Sequence, residues 1–267
     1  MIAPEIHTTE SPASWILRIC RMHAVNYPTL MKAFGLPCYA DPDVALDGPT
    51  LCRIGAGTAV ARNETLRLGS IFRSIRACPS LGVLLHRDES GTPAYKFCDH
   101  CLSCDKHPYL RLEWRIAGLN TCLIHRVRLK SRCWSCSATL QSTRTRLSSL
   151  GDGRTLANCT KCLVHLPDSR VADEDGEELQ DSDISFQKSL VAAVLRGYFY
   201  VTGCDMQLPL GFLAWLLETG QYRPMAQPQI SGELEPPLVA AAVRGLYSSY
   251  IDRSLRRAWF AETAEFS

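Results

Sequence analysis

The sequence lacks any apolar run long enough to cross a membrane. Its longest apolar stretches, Leu208–Leu217 and Leu238–Val243, fall short of the roughly 18 residues that a membrane helix needs. Residues 1–14 have neither a basic opening nor an apolar segment, so no secretory signal is visible. We therefore expect a soluble protein of the cytoplasm.

The motifs of several enzyme classes are also missing. There is no G-x-x-x-x-G-K-[ST] phosphate loop, and the nearest segment, Gly55–Thr58, has no lysine where a phosphate would need it. There is no H-E-x-x-H, no G-x-S-x-G, and no H-x-E paired with P-C-x-x-C as in zinc deaminases. We predict that the chain is not an enzyme.

Lysine is scarce, with 6 residues against 23 arginines. The net charge of +2 conceals an asymmetry, because residues 1–165 carry 21 basic and 12 acidic side chains, whereas residues 166–267 carry 8 and 15. Segment 111–154 is the most basic, with nine arginines and lysines against two acids. The planar fork of arginine suits phosphates and carboxylates, which favours phosphate recognition, although a GC-rich genome gives the same bias.

Cysteine, in contrast, is abundant. Thirteen cysteines is an odd number, which argues against a disulfide scaffold in a chain without a secretory signal. The cysteines form closely spaced pairs, and Cys-x-x-Cys pairs of this kind are typical of metal sites. The ligand-like pairs are Cys98/Cys101, Cys101/Cys104, Cys133/Cys136, Cys159/Cys162 and Cys122/His125.

The spacing of these pairs predicts two structural zinc sites per chain. Zinc takes four Cys or His ligands at tetrahedral corners, and a closed four-ligand site leaves no position for a catalytic water. Similar intervals separate the two pairs of each site, 20 residues in the first and 22 in the second. The predicted ligands are Cys98, Cys101, Cys122 and His125 in one site, and Cys133, Cys136, Cys159 and Cys162 in the other.

Several alternatives for these ligands remain open. Cys101/Cys104 offers another register for the first pair, and His100 or His165 could replace a sulfur. The pairs could also be interleaved, with the first pair meeting the third. A catalytic zinc at His100, Cys101, Cys104 or His107 would make the chain an enzyme, and buried or redox-active cysteines would need no metal.

The remaining cysteines are isolated along the chain, and we interpret each one as a small buried hydrophobic residue. They are Cys20, Cys38, Cys52, Cys78 and Cys204.

Apolar periodicity and turn residues predict a mainly helical fold. A chain of 267 residues that is 46% hydrophobic has a globular composition and room for one to three domains. The first helix is expected within 11–36, capped by Ser11 or Ser14, with a second segment at Thr29–Phe34. A helix pair is expected at Gly57–Ala61 and Asn63–Ala77, the latter capped by Asn63. Further helices are expected at Leu110–Ala117, Ser185–Val201, Leu208–Glu218 and Leu238–Phe260.

These helices and the cysteine block define four predicted parts. Residues 1–95 form an N-terminal helical domain, whose short helices and tight turns are similar to a helix-turn-helix. Residues 96–167 form a tandem zinc-binding domain built of small zinc-ribbon-like modules. Residues 168–184 form an acidic linker, because 168–183 holds eight acids and almost nothing apolar. Residues 185–267 form a C-terminal helical domain.

The cysteine block resembles the TniQ family, which is related to the TnsD target selectors of bacterial transposons. The family pattern is close to C-P-x-C-L, P-Y-x-R-L-x-W-R, C-x-x-H and C-P-x-C-G. The matching segments are Cys98–Leu102, Pro108–Arg115, Cys122–His125 and Cys133–Cys136, with Glu10–Arg18 similar to the family's first helix. Asp99 and Trp134 replace the family's prolines, and Arg126 and Ser137 replace its glycines.

The resemblance implies a non-catalytic adaptor for transposon targeting. Such an adaptor links a target, either attachment-site DNA or a CRISPR effector (Cascade or a single protein), to an AAA+ ATPase that recruits the transposase. Homodimers are common among the RNA-guided members. A stand-alone zinc-ribbon or helix-turn-helix DNA-binding regulator remains the alternative.

The basic block supplies the candidate nucleic-acid contacts. Arg126, Arg128 and Arg132 lie between the histidine ligand and the next cysteine pair. Further candidates, Arg144, Arg146 and Arg154, lie between the two pairs of the second site. The alternative is that these arginines pair with the acidic C-terminal half and only stabilise the chain.

Overall fold

The fold is that of a computed structural model, which describes residues 2–143, 155–168, 181–200, 206–218 and 243–252. The chain divides into two compact units, residues 1–195 and residues 196–267. Of the predicted acidic linker, residues 169–180 lie outside the described residues. Residues 181–184 begin a helix.

The first unit begins with two capped helices, α1 (Pro12–Met22) and α2 (Tyr27–Ala33). Ser11 Oγ accepts a hydrogen bond from the Ser14 amide at 3.2 Å, and Asn26 Oδ1 accepts one from the Thr29 amide at 2.8 Å. Each cap is followed by a proline in the first turn, where no amide proton is needed. The two helices predicted within 11–36 are confirmed.

Four short helices follow: α3 (Pro42–Ala45), α4 (Gly48–Gly55), α5 (Arg62–Ser70) and α6 (Arg73–Ala77). The predicted helix Gly57–Ala61 is wrong, because this segment is the turn between α4 and α5. Asp47 caps α4 by accepting a hydrogen bond from the Thr50 amide at 2.9 Å. The same three residues, Asp47-Gly-Pro, are also typical of a turn. Ala61, and not Asn63, occupies the cap of α5, and the helix expected through Ala77 is interrupted at residues 71–72.

Helices α4 and α5 pack unusually closely. A Cβ atom added at Gly69 would lie 2.2 Å from the backbone nitrogen of Gly48, so only glycine fits at this contact. The two helices and the turn between them form a compact helical hairpin, and Leu51 and Leu68 are fully buried in it.

The rest of the first unit has little regular structure. Strand β1 (Ala94–Tyr95) pairs antiparallel with β2 (Leu140–Gln141), and α7 (Asp99–Cys104) and α8 (Asp181–Arg196) are its remaining α-helices in the described residues. The predicted helix Leu110–Ala117 is wrong in extent, because only Leu112–Arg115 is helical, as a 3₁₀ turn. Two further 3₁₀ segments are Pro79–Leu84 and Leu166–Asp168.

The second unit is small and aromatic. It contains β3 (Tyr198–Tyr200), β4 (Gln207–Pro209), α9 (Leu210–Glu218) and a helix over residues 243–252. Phe212 is almost fully buried, with four aromatic rings within 6.3 Å of its own ring centroid. The prediction that a helix continues to Val201 is wrong, because Gly197 adopts a φ of +87° and the chain turns into β3.

Taken together, the described elements are mostly helical with two small two-stranded sheets, which confirms the predicted fold class. Among the described helices, none is both long and apolar enough to span a bilayer. Cys20 is fully buried, as predicted for the isolated cysteines, and Cys52 is half-buried. Cys38 and Cys78 are exposed, so the prediction is wrong for both, and Cys204 lies outside the described residues.

Candidate metal centres

The first cluster forms where helix α7 meets a later turn. Cys98 caps α7 and Cys101 lies in its first turn, so the helix backbone places both sulfurs on one side. The Sγ atoms of Cys101 and Cys122 are 3.6 Å apart, and His125 Nδ1 lies 3.2–3.7 Å from the three sulfurs. The four donor atoms all lie within 4.8 Å of one another.

The second cluster is built from two turns and contains only cysteines. Cys133 Sγ lies 3.7 Å from Cys162 Sγ, and Cys136 Sγ lies 3.6 Å from Cys159 Sγ. This cluster is more open to solvent than the first, because Cys162 is exposed and Cys136 half-buried. In the first cluster, the three cysteines are buried and only His125 is half-buried.

Both clusters have the dimensions of a tetrahedral zinc site. Zinc bonds of roughly 2.3 Å to sulfur and 2.0–2.1 Å to nitrogen give tetrahedral edges of about 3.8 Å between sulfurs and about 3.6 Å between sulfur and nitrogen. The observed separations match these edges, whereas a disulfide would bring two sulfurs to about 2.05 Å. Burial raises the pKa of the Cys133 thiol to about 12, and a bound cation would favour the thiolate instead. The two donor sets could therefore hold metal ions and are compatible with zinc.

Three of the four ligand pairs share one turn. In each, the amide after the second ligand donates to the carbonyl of the first at 2.9–3.0 Å. The residue that supplies this amide has a positive φ in all three turns, namely 57° at Arg126, 55° at Ser137 and 68° at Leu163. A positive φ is the reason that glycine suits this position. Arg126 and Ser137, which replace the family's glycines, therefore adopt the left-handed backbone conformation that glycine favours.

The structure groups the ligand pairs in sequential order, the first with the second and the third with the fourth. Cys104 is exposed and lies outside the first group, as does His100, whose ring centroid is 5.5 Å from that of His125. His165 lies outside the second group, and its Nδ1 is 2.9 Å from Asp168. His107 belongs to neither group.

The candidate nucleic-acid contacts are only partly described. Arg126 and Arg128 are exposed beside the first cluster. Arg132, just before the second, donates to the Ser137 carbonyl at 3.1 Å and forms an ion pair with Glu89. Arg144, Arg146 and Arg154 lie outside the described residues.

A buried ionic network, which the sequence analysis did not identify, is centred on Arg115. Arg115 is fully buried, with its guanidinium 2.7 Å from Asp41 and 2.9 Å from Asp43. It also donates to the carbonyls of His86 and Ala94. Burial raises the pKa of the Asp41 carboxyl, and the positive charge of Arg115 opposes this shift.

The network extends to the start of α1. Asp43 accepts hydrogen bonds from the Ala13 amide at 2.8 Å and from the Tyr95 hydroxyl. Nearby, Glu10 is buried and pairs with Arg18 at 2.7 Å. Arg115 ends the P-Y-x-R-L-x-W-R motif, so the motif was the available signal, but its acidic partners lie more than 70 residues earlier in the chain.

A second arginine of the same motif is held in a similar way. Arg111 makes a two-pronged ion pair with Asp105, at 2.8 and 3.0 Å, and its guanidinium lies over the rings of Tyr109 and Trp114. The ion pair of Arg111 is therefore local, whereas Arg115 links the segment after the first cysteine pair to helix α3.

The comparison with protein families gives one match, to the TniQ model, over residues 1–129. This range contains α1 to α7, the first cluster and the whole Arg115 network. A search of curated proteins finds no match. Residues 1–129, just under half of the chain, are therefore similar to the TniQ family of transposition-associated target-selection proteins.

Proposed function

We propose that the chain is an adaptor that links a target complex to an AAA+ transposition ATPase. The single observation that carries this proposal is the TniQ match over residues 1–129. The target would be either attachment-site DNA or a CRISPR effector, and the adaptor would act in the cytoplasm, as a monomer or a homodimer. The absence of a phosphate loop from the sequence fits this division of labour, because the ATPase supplies nucleotide hydrolysis.

Two zinc ions would stabilise the metal-binding region of the adaptor. The ligands would be Cys98, Cys101, Cys122 and His125 in the first cluster, and Cys133, Cys136, Cys159 and Cys162 in the second. A four-ligand zinc is a structural crosslink, since no coordination position is left for substrate. Zinc binding would favour folding of the turns, because their cysteines meet only in the folded chain.

The described geometry supports a nucleic-acid contact near the clusters. Arg126, Arg128 and Arg132 are exposed on the segment that joins the two clusters, and Arg144, Arg146 and Arg154 are proposed to extend the contact. We also retain the proposed organisation into residues 1–95, 96–167, 168–184 and 185–267.

One observation favours the alternative of a stand-alone DNA-binding regulator. Helices α4 and α5 form a tightly packed pair joined by a short turn, which is similar to a helix-turn-helix. Arg62 and Asn63 are exposed on α5, where a groove-reading helix would need polar side chains.

The two functions are distinguished by what the full-length chain binds alone. We expect it to co-purify with an AAA+ ATPase encoded in the same transposon and to bind duplex DNA weakly without partners. Tight binding to one duplex sequence, with no retention of the ATPase, would favour the regulator. Metal analysis should give two zinc ions per chain, and one or none would contradict the proposed ligand sets.

A further inference from the structure

An exposed tryptophan lies at the tip of the Cys133–Cys136 turn. The side chain of Trp134 is 43% exposed, and its indole nitrogen donates to the His165 carbonyl at 3.4 Å. Trp15, Trp114 and Trp215 are all buried, so the exposure of Trp134 is exceptional among the described tryptophans. An aromatic ring that is both exposed and held by a hydrogen bond offers a flat surface with a fixed orientation.

The segment that leads to this ring carries a cation at every second position. Residues 126–138 contain four basic residues and no acid. Within this segment, Arg128 and Lys130 are in extended backbone, since they form isolated bridges with Thr121 and Phe97. Side chains two residues apart in extended backbone lie on the same face, about 6.6 Å apart. We name Arg126, Arg128, Lys130 and Arg132 the basic strip.

Lys130 and Arg132 of the basic strip have acidic partners among the described residues. Lys130 pairs with Asp99, and Arg132 pairs with Glu89, whose side chain is 86% exposed. An ion pair between exposed side chains is weak, because water and salt screen it. A phosphate could therefore replace Glu89 at Arg132 with little cost in free energy.

We propose that the basic strip and Trp134 together bind an unpaired nucleic-acid strand, either DNA or RNA. The cations would contact successive phosphates, and one base would stack on the Trp134 indole. This inference rests on the nucleic-acid contact in the proposed function, and it adds the strand type and the stacking residue.

An unpaired strand fits this surface better than a duplex. A base inside a duplex has both faces covered by its neighbours, so it cannot stack on a protein ring, whereas an unpaired base exposes a face of its own. An acidic peptide would satisfy the cations but has no flat ring to match the indole. Hydrogen bonds between Cys133 and Ala138, and between Ser137 and Cys133, fix the turn that carries Trp134, so little freedom is lost on binding.

The test uses the zinc-loaded full-length chain and fluorescence anisotropy. The probes are labelled oligothymidylate and oligouridylate of about 15 nucleotides, within the site size of small single-strand binding modules, and a duplex of equal length. Trp134→Ala should weaken binding of the single strands by about 5- to 150-fold, because one stacked base is lost. Trp134→Phe should retain most of the affinity, since it keeps a ring.

The basic strip is tested by the salt dependence of the same binding. Replacing Arg126, Arg128 and Arg132 by Ala should reduce the slope of log affinity against log salt by about 2, at roughly 0.7 per phosphate of a single strand. Arg73→Ala, an exposed arginine on α6 outside both the strip and the α4–α5 pair, is the matched control and should change neither affinity nor slope. Zinc content and melting temperature of every variant are measured to exclude misfolding.

The outcomes separate this inference from the proposed function. If the triple variant binds more weakly but Trp134→Ala binds normally, stacking is refuted while the nucleic-acid contact stands. Stacking is also refuted if Trp134→Ala loses as much affinity for the duplex as for the single strands. The same holds if an oligoglutamate peptide displaces the strand from the parent chain but not from Trp134→Ala. If neither variant changes binding, the contact through the basic strip and Trp134 is refuted, while co-purification with the ATPase still tests the adaptor role.

Discussion

Replacing Gly69 by alanine tests the close packing of helices α4 and α5. The added Cβ would lie 2.2 Å from the Gly48 nitrogen and 2.5 Å from the Asp47 carbonyl carbon, whereas ordinary contacts begin at 3.4 Å. Every one of these neighbours is a backbone atom, so no side chain can rotate away. The helices must therefore separate by about 1.2 Å, the difference between 3.4 and 2.2 Å.

Separation of the two helices would loosen the packing of Leu51 and Leu68, which are fully buried. Overpacking of this kind costs about 1–3 kcal/mol or more, and alanine's better helix propensity returns only about 1 kcal/mol of it. We expect Gly69→Ala to lower the free energy of unfolding by about 2 kcal/mol, measured by urea denaturation followed by circular dichroism.

The matched control is Gly82→Ala, because a Cβ at Gly82 meets nothing within 4 Å. This variant should stay within about 0.5 kcal/mol of the parent chain. If Gly69→Ala unfolds at the same urea concentration as Gly82→Ala, the close approach of the two helices is refuted.

Three further predictions follow from single residues. Ser137→Gly should raise the free energy of unfolding by about 0.5–1 kcal/mol, because glycine relieves the positive φ of an exposed turn residue; unchanged urea midpoints would contradict this. A chelator should remove metal from the second cluster first, because Cys162 is exposed, so a zinc-dye assay should show a fast and a slow phase of release. Cys133→Ser, which retains only the first cluster, should lack the fast phase. Burial lowers the pKa of His86 from 6.5 to about 4. Between pH 6.5 and about pH 4 the unfolded chain therefore binds a proton at His86 more readily than the folded chain. The free energy of unfolding should fall as the pH falls through this range. His86→Gln should reduce this loss by about 1 kcal/mol, after allowance for the partial exposure of the ring, and equal pH profiles of unfolding for both chains would show that His86 does not contribute.

Local features of this chain were predictable because their causes are local. The predicted helix cap Ser11 accepts from an amide three residues ahead, so a short stretch of sequence contains the whole interaction. The Cys-x-x-Cys spacing is similar, since two sulfurs three residues apart meet on one side of a turn. The residues brought together in each cluster follow from these spacings and from the similar intervals between pairs.

Other features depend on partners far along the chain. Nothing near Arg115 indicates that its partners are Asp41 and Asp43, because the ion pairs form only when the fold is complete. The start of α4 was missed for a different reason, since Asp47-Gly-Pro suits both a turn and a capped helix. The close contact between Gly69 of α5 and the backbone of Gly48 favours the capped helix α4 over a turn, and this contact forms only in the folded chain.

The Arg115 network limits how this chain could exchange segments with related chains. A chimera joined between Tyr95 and Lys96 would give Arg115 the acids of a different parent. A buried arginine that loses its carboxylates costs about 3–5 kcal/mol, a large share of the stability of an ordinary domain. Recombination within residues 41–115 should therefore give stably folded chains only when both parents place acids beside this arginine. Helix α3 and the segment that carries Arg115 would then be inherited as one block.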